Sequence, residues 1–174
     1  VMQRRSEMFN PFHLKRWEQY LQLCDWSYSR NSGSVARGVV KLTDSCNNII
    51  SPIVAMSGGK GLLLYSGVED FIVSNIKSDG RKQFLENLVQ RSIRDLKGMP
   101  QFQHIEPEGL DSACKAAFVW VVNIQHYLDA LKKNTDLKTL DSSDLLAQAS
   151  GFLLAVARYL DISLDKADIE NIVK

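Results

Sequence analysis

The chain has 174 residues, of which 45% are hydrophobic and 24% charged, with a formal net charge of +1 and a pI near 7.9. These are ordinary globular values, with room for one or at most two domains and for a core that needs no disulfide staples. They give no reason to expect a nucleic-acid partner, and no run approaches the roughly 18–20 apolar residues of a membrane span.

The N-terminus VMQRRSEMFN is too polar for a signal peptide. Val1 ahead of Met2, and an end at Lys174 inside a helical pattern, lead us to expect a piece of a larger protein. Cys24, Cys46 and Cys114 are odd in number, far apart and each on an apolar seam. We expect buried free thiols and a reducing, cytoplasmic setting. Charge is uneven: residues 1–60 carry eight Lys/Arg against four Asp/Glu, and residues 99–174 seven against eleven. Such a split can steer a partner to one end, and a solvated surface explains it equally well.

Residues 1–9 read as a polar lead-in to a single helical domain over 10–174. Asn10-Pro11 suits a helix start, with Asn as N-cap and Pro at the first helical position. Leu14, Trp17, Leu21, Cys24 and Tyr28 then step by three and four, giving a helix to about Ser29, with Lys15, Arg16 and Glu18 off that seam. Asn31 to Gly33 break it. Ser34 caps a second helix on Val35, Val39, Leu42, Cys46 and Ile49, which Pro52 ends or kinks; the β-branched run from Ile49 to Val54 leaves a strand as the minor alternative. Residues 57–61 form a glycine-rich loop, and Leu62 to Tyr65 are extended or one helical turn. Ser66-x-x-Glu69 has the capping-box pattern, ahead of a helix at about 67–77. Another follows at about 81–97 on Leu85, Leu88, Val89, Ile93 and Leu96, stopped by Gly98 and Pro100.

The stretch from Pro107 to Lys133 is the centre of the chain. Leu110, Cys114, Ala117, Val121, Ile124, Leu128 and Leu131 alternate steps of four and three along one helix face. Ala116 to Val122 (AAFVWVV) has no polar residue, as expected of a helix enclosed on several sides. Its 27 or so residues would make a rod of about 40 Å. Asn134 to Asp141 read as a polar connection. Ser142 or Ser143 caps a helix to about Leu160 on Leu145, Ala149, Phe152 and Val156, and a short last helix carries Ile169, Ile172 and Val173. The expected fold is all-α, a compact bundle of six or seven helices around the 107–133 helix.

Chemistry is harder to find. Gly58-Gly59-Lys60-Gly61 could cradle a phosphate, with Lys60 as the point charge. A P-loop, however, needs G-x-x-x-x-G-K-[ST] between a strand and a helix, and Gly61 follows Lys60; a plain connector explains the loop. His13, His104 and His126 have no ligand spacing, so zinc is unsupported; His126 reads as a surface residue on the polar side of its helix. There is no G-x-S-x-G elbow or S-x-x-K pair. No catalytic residue, cofactor site or metal site is therefore assigned. The tail YLDISLDKADIENIVK is similar to the end of helical nucleotide pyrophosphohydrolases, which hold Mg²⁺ between E-x-x-E and E-x-x-D. Asp165 and Asp168 have the i, i+3 spacing, but no E-x-x-E lies upstream, and a dipole-matched helix start accounts for the pair.

Residues 100–127, PQFQHIEPEGLDSACKAAFVWVVNIQHY, resemble the distal part of the dynein heavy-chain stalk head, its helical microtubule-binding domain. The matching positions are Phe102, Pro107-Glu108, Ser112, Ala113, Cys114, Trp120-Val121, Ile124 and Tyr127, with Phe84-Leu85 and Leu88 as an earlier element. The resemblance covers residues 84–131. It implies binding to the acidic tubulin surface through basic side chains, and it carries over no individual binding residue. Neither 10–29 nor 145–173 looks like the charged coiled-coil strands of that stalk.

The function expected from the sequence is a non-enzymatic helical protein–protein interaction module. Its candidate partner-binding residues are Lys15, Arg16, Trp26, Tyr28 and Lys60, with aromatic anchors supplying most of the affinity. A nucleotide or phosphate enzyme using Lys60 or Asp165/Asp168 is the alternative.

Overall fold

The computed structural model describes residues 41, 47, 50–96, 104–164 and 167–169. The helices expected from Asn10 and from Ser34, the stop at Gly98 and Pro100, and the residues Lys15, Arg16, Trp26, Tyr28, Cys24, Cys46 and Asp165 lie outside the described residues.

What is described is mostly helical, with one small two-stranded parallel sheet. The expectation of a purely all-α chain is thereby corrected. Helix α1, Ile50–Ser57, holds Pro52 and runs on past it, so the proline does not end the helix. Gly58, at φ +58°, closes α1 by donating from its N–H to the Val54 carbonyl at 3.1 Å, the left-handed cap glycine adopts without strain.

Strand β1, Gly61–Tyr65, pairs in parallel with β2, Leu137–Asp141, in the register Gly61 to Leu137 through Tyr65 to Asp141. Thus the ambiguous LLLY run is strand, and so is the second part of the polar 134–141 connection, residues 137–141; each finds its backbone partner in the other. Gly61 is needed at the start of this register. A Cβ there would run into Cδ2 of Leu137, while its N–H donates to the Asp136 carbonyl at 2.8 Å. Parallel neighbours require a long crossover, and here the described residues between the strands hold three α-helices.

The first of these, α2, is Val68–Ile76. It falls where expected, but Gly67 is its N-cap, without a side-chain cap bond, so the Ser66/Glu69 capping box does not form. Glu69 and Asp70 in its first turn still suit the helix dipole. Helix α3 is Asp79–Leu96. After a 3₁₀ turn at Pro107–Gly109 comes α4, Ser112–Leu131. Asp111 sets its start by accepting from the Cys114 N–H at 2.8 Å, so the long helix begins five residues later than Pro107 suggested.

Asp141, the last residue of β2, caps α5, Ser142–Ala147. The helix expected to run to Leu160 is interrupted at Gln148, and α6 is Ala149–Tyr159; nothing in the local sequence explains the break. At the end of α6 Asp161 adopts φ +55°, and Ile162 N–H reaches Ala157 O at 2.8 Å while Asp161 N–H reaches Arg158 O at 3.3 Å. This is a Schellman ending with aspartate where glycine usually stands.

Two apolar clusters form. One joins Leu85, Leu88, Val89 and Leu96 of α3 to Ala116, Phe118, Val119 and Val122 of α4, with Phe71, Ile72 and Ile76 of α2 against it. The other joins Ile50, Leu63, Leu137 and Ala130, with Val54, Tyr127 and Leu131 against it. Helix α4 is common to both, and so serves as the axle on which the helical pair α2–α3 and the sheet with α1 are mounted.

Candidate functional site

Three places gather polar or exposed groups. The first is the amino end of the sheet. The Lys60 ammonium lies 2.7 Å from Asp161 Oδ2 and 5.5 Å above the Tyr159 ring. The Tyr159 hydroxyl donates to the Asp136 carbonyl at 2.7 Å, the same oxygen that accepts from Gly61. Burial, then the nearby Asp136, push the Tyr159 phenol above its usual range, against the pull of Lys60. The glycine-rich loop is thus a junction where α6 meets the sheet, and the lysine charge is already matched.

The second is the carboxyl end of the sheet, where open parallel sheets commonly bind ligands. Asp141 Oδ1 accepts from Ser143 N–H at 2.9 Å and Ser143 Oγ at 2.8 Å, and Tyr65 is its register partner across the sheet. The Ser143 bonds, chiefly the backbone one, hold Asp141 below the ordinary carboxylate range. Burial and then the Asp141 charge raise the Tyr65 phenol. A carboxylate holding two donors at the start of a helix is a cap rather than a poised base.

The third is the outer side of α4. At about 100° per residue, Cys114, Val121 and Leu128, one heptad apart, lie about a quarter of a turn or more round the helix from Val119, Val122 and His126. Val121 is 41% and Leu128 47% exposed, whereas Val119 and Val122 are buried. Ala117 and Ile124 on the same stripe are half-buried. Beside it Tyr127 Oη donates to the Leu64 carbonyl at 3.3 Å, and Leu64 itself is 51% exposed. The seam expected to face inward is therefore open at Cys114, Val121 and Leu128 and half-buried at Leu110, Ala117, Ile124 and Leu131, the last of which packs on the second cluster.

Two related expectations are corrected with it. Cys114 is an exposed thiol, not a buried one. The hydrogen bond with Asp111, then that carboxylate's charge, raise its pKa. His126 is buried, 5% exposed, not on the surface. His104 and Asp168 are exposed. Of the five candidate partner-binding residues only Lys60 is described, and it stands apart from the α4 stripe. Among the described residues no three His, Cys, Asp or Glu side chains group as they would to hold a metal, and no helix is long and apolar enough to cross a membrane.

Comparison with protein families, curated proteins and solved structures finds no match to the chain.

The sequence offered one signal for the outer stripe that its reading inverted. Its heptad spacing is plain in residues 114–128, but in a helix apolar on all sides spacing alone does not say which stripe is covered.

Proposed function

We propose that this chain is a non-enzymatic protein-interaction module of a larger cytosolic protein, and that it engages a partner helix through the outer stripe of α4. The observation that carries the reading is the exposure of Val121 and Leu128, an apolar heptad pair on the longest helix among the described residues. Steps of three and four along Cys114, Ala117, Val121, Ile124 and Leu128 are those of a two-helix seam, and exposed apolar surface on a folded domain marks a contact site when it is contiguous.

The test is a variant carrying Val121→Glu and Leu128→Glu, unfolded by denaturant at low micromolar concentration. A contact face gives a midpoint close to that of the wild type, since exposed substitutions shift stability by about 0.5 kcal/mol or less. Loss of the fold would mean that the stripe is core, and would end the proposal.

The dynein-like stretch adds a specific partner class, the microtubule surface. Co-sedimentation with microtubules that weakens as salt rises supports it; no pelleting at low salt removes that partner. The enzymatic alternative draws less support, because Asp161 already neutralises Lys60. A thermal shift with Mg²⁺ and a nucleotide would restore it.

A further inference from the structure

Resting on the reading of the α4 stripe as a contact face, we infer that its partner is a second copy of the chain, bound antiparallel across a two-fold axis near residues 122 and 123. A helix suits this stripe, because steps of three and four are the spacing by which two helices interlock. Three features of this stripe point to itself, run in reverse.

Side-chain volume grades along it. Cys114 and Ala117 at its start are small, Val121 is intermediate, and Ile124 and Leu128, which are equal in volume, are large. In an antiparallel pair the positions that meet are 117 with 128 of the other copy and 121 with 124. Alanine then faces leucine at the ends and valine faces isoleucine at the centre, so the seam fills more evenly than in a parallel pair. A parallel pair sets alanine against alanine and leucine against leucine, leaving a gap at one end and crowding at the other.

Charge runs the same way. Glu106 and Asp111 are exposed just before the stripe, and Lys132 and Lys133 just after it. Reversal brings each acidic end beside the other copy's basic end; a parallel pair sets like against like. Finally, a two-fold contact needs one self-complementary patch and no second surface, and the stripe supplies it. Leu64, exposed next to Tyr127, widens the patch on the strand side.

The experiment is sedimentation equilibrium of the full chain under reducing conditions, at concentrations on the order of ten to several hundred micromolar, where an interface below about 1,200 Å² is populated only in part. We expect a reversible monomer–dimer equilibrium, abolished by Val121→Glu with Leu128→Glu. Orientation is read from a variant carrying Ala117→Cys and Leu128→Cys under mild oxidation, with disulfides mapped by mass spectrometry. A 117–128 bond between copies is expected. A Cys114–Cys114 bond between wild-type copies, the mark of a parallel pair, would overturn the arrangement. A chain monomeric at every concentration would overturn self-pairing. If the glutamate variant then keeps its fold, the contact face remains and its partner is a different helix. If that variant unfolds, the chain covers the stripe itself and both readings go.

Discussion

Trp120 Nε1 donates a 2.8 Å hydrogen bond to the Ser66 carbonyl, fastening the middle of α4 to the link between β1 and α2. One heptad further on, Tyr127 Oη makes the corresponding bond to Leu64 O at 3.3 Å. The two aromatics hold the sheet to one flank of the axle, and the stripe of Val121 and Leu128 lies just beyond them. Trp120→Phe keeps most of the ring and removes the donor. It should cost about 0.5–1.5 kcal/mol, a fall in Tm of roughly 2–4 °C per kcal/mol for a chain this size. Thermal unfolding followed by circular dichroism measures it; an unchanged Tm would mean that the bond adds nothing net.

Leu85 is fully buried between α3 and α4. Leu85→Ala removes its methyl groups and leaves a cavity, at a cost of about 2–5 kcal/mol. The neighbouring Phe84 is 40% exposed, and Phe84→Ala should cost much less. Denaturant midpoints of the two variants give the comparison, and equal losses would mean that α3 is turned differently.

Acid should weaken two helix starts together. Asp111 accepts from Cys114 N–H, and Asp141 from Ser143, and these bonds lower both carboxyl pKa values in the fold. A carboxyl depressed by folding contributes stability that is complete above the unfolded value of about 3.9 and is lost as pH falls through the folded one. A variant carrying Asp111→Asn and Asp141→Asn should therefore show a flatter dependence of Tm on pH below about 4. Alkali acts oppositely on Tyr65, whose phenol is raised. Its stabilising effect is present below about pH 10 and disappears above the folded value, so Tyr65→Phe should blunt the alkaline loss.

At the end of α6 a backbone cost stands against an ion pair. Asp161 holds φ +55° and bonds Lys60 at 2.7 Å, with its side chain 57% exposed. Glycine removes a left-handed penalty of about 1–2 kcal/mol, and an exposed pair of this kind is worth about 0–1 kcal/mol. Asp161→Gly should leave stability unchanged or slightly improved and free the Lys60 ammonium. A loss of more than 2 kcal/mol or so, beyond that range, would mean that the junction of Lys60, Tyr159 and Asp136 depends on the carboxylate itself.

The helices at 68–76, 79–96 and 112–131 were legible because each keeps a 3.6-residue apolar period over two turns or more. The sheet was not. GLLLY and LKTLD are five residues each, and what makes them strands is a partner more than seventy positions away together with the missing Cβ of Gly61. The face of α4 was misread for a different reason. With AAFVWVV apolar all round, the four-and-three spacing of the Val121 and Leu128 stripe reads as the inward seam. The buried face instead includes Ala116 and Ala130, whose small side chains let α3 and the sheet approach closely. His126 lies on that face as well, and its polarity marked it as surface. Lys60 was visible as a cation in a glycine loop, but its partner at Asp161 is set by tertiary structure alone.

The central claim is that α4 is core on one face and open on the opposite side, and adjacent residues test it most directly. Val122 is 1% and Val121 41% exposed. Glutamate is placed at each in turn and unfolding in denaturant is measured at low concentration. Val122→Glu buries an unpaired carboxylate and should cost on the order of 4 kcal/mol or more, while Val121→Glu should stay within about 0.5 kcal/mol of the wild type. Equal destabilisation, or the reverse order, would contradict the account.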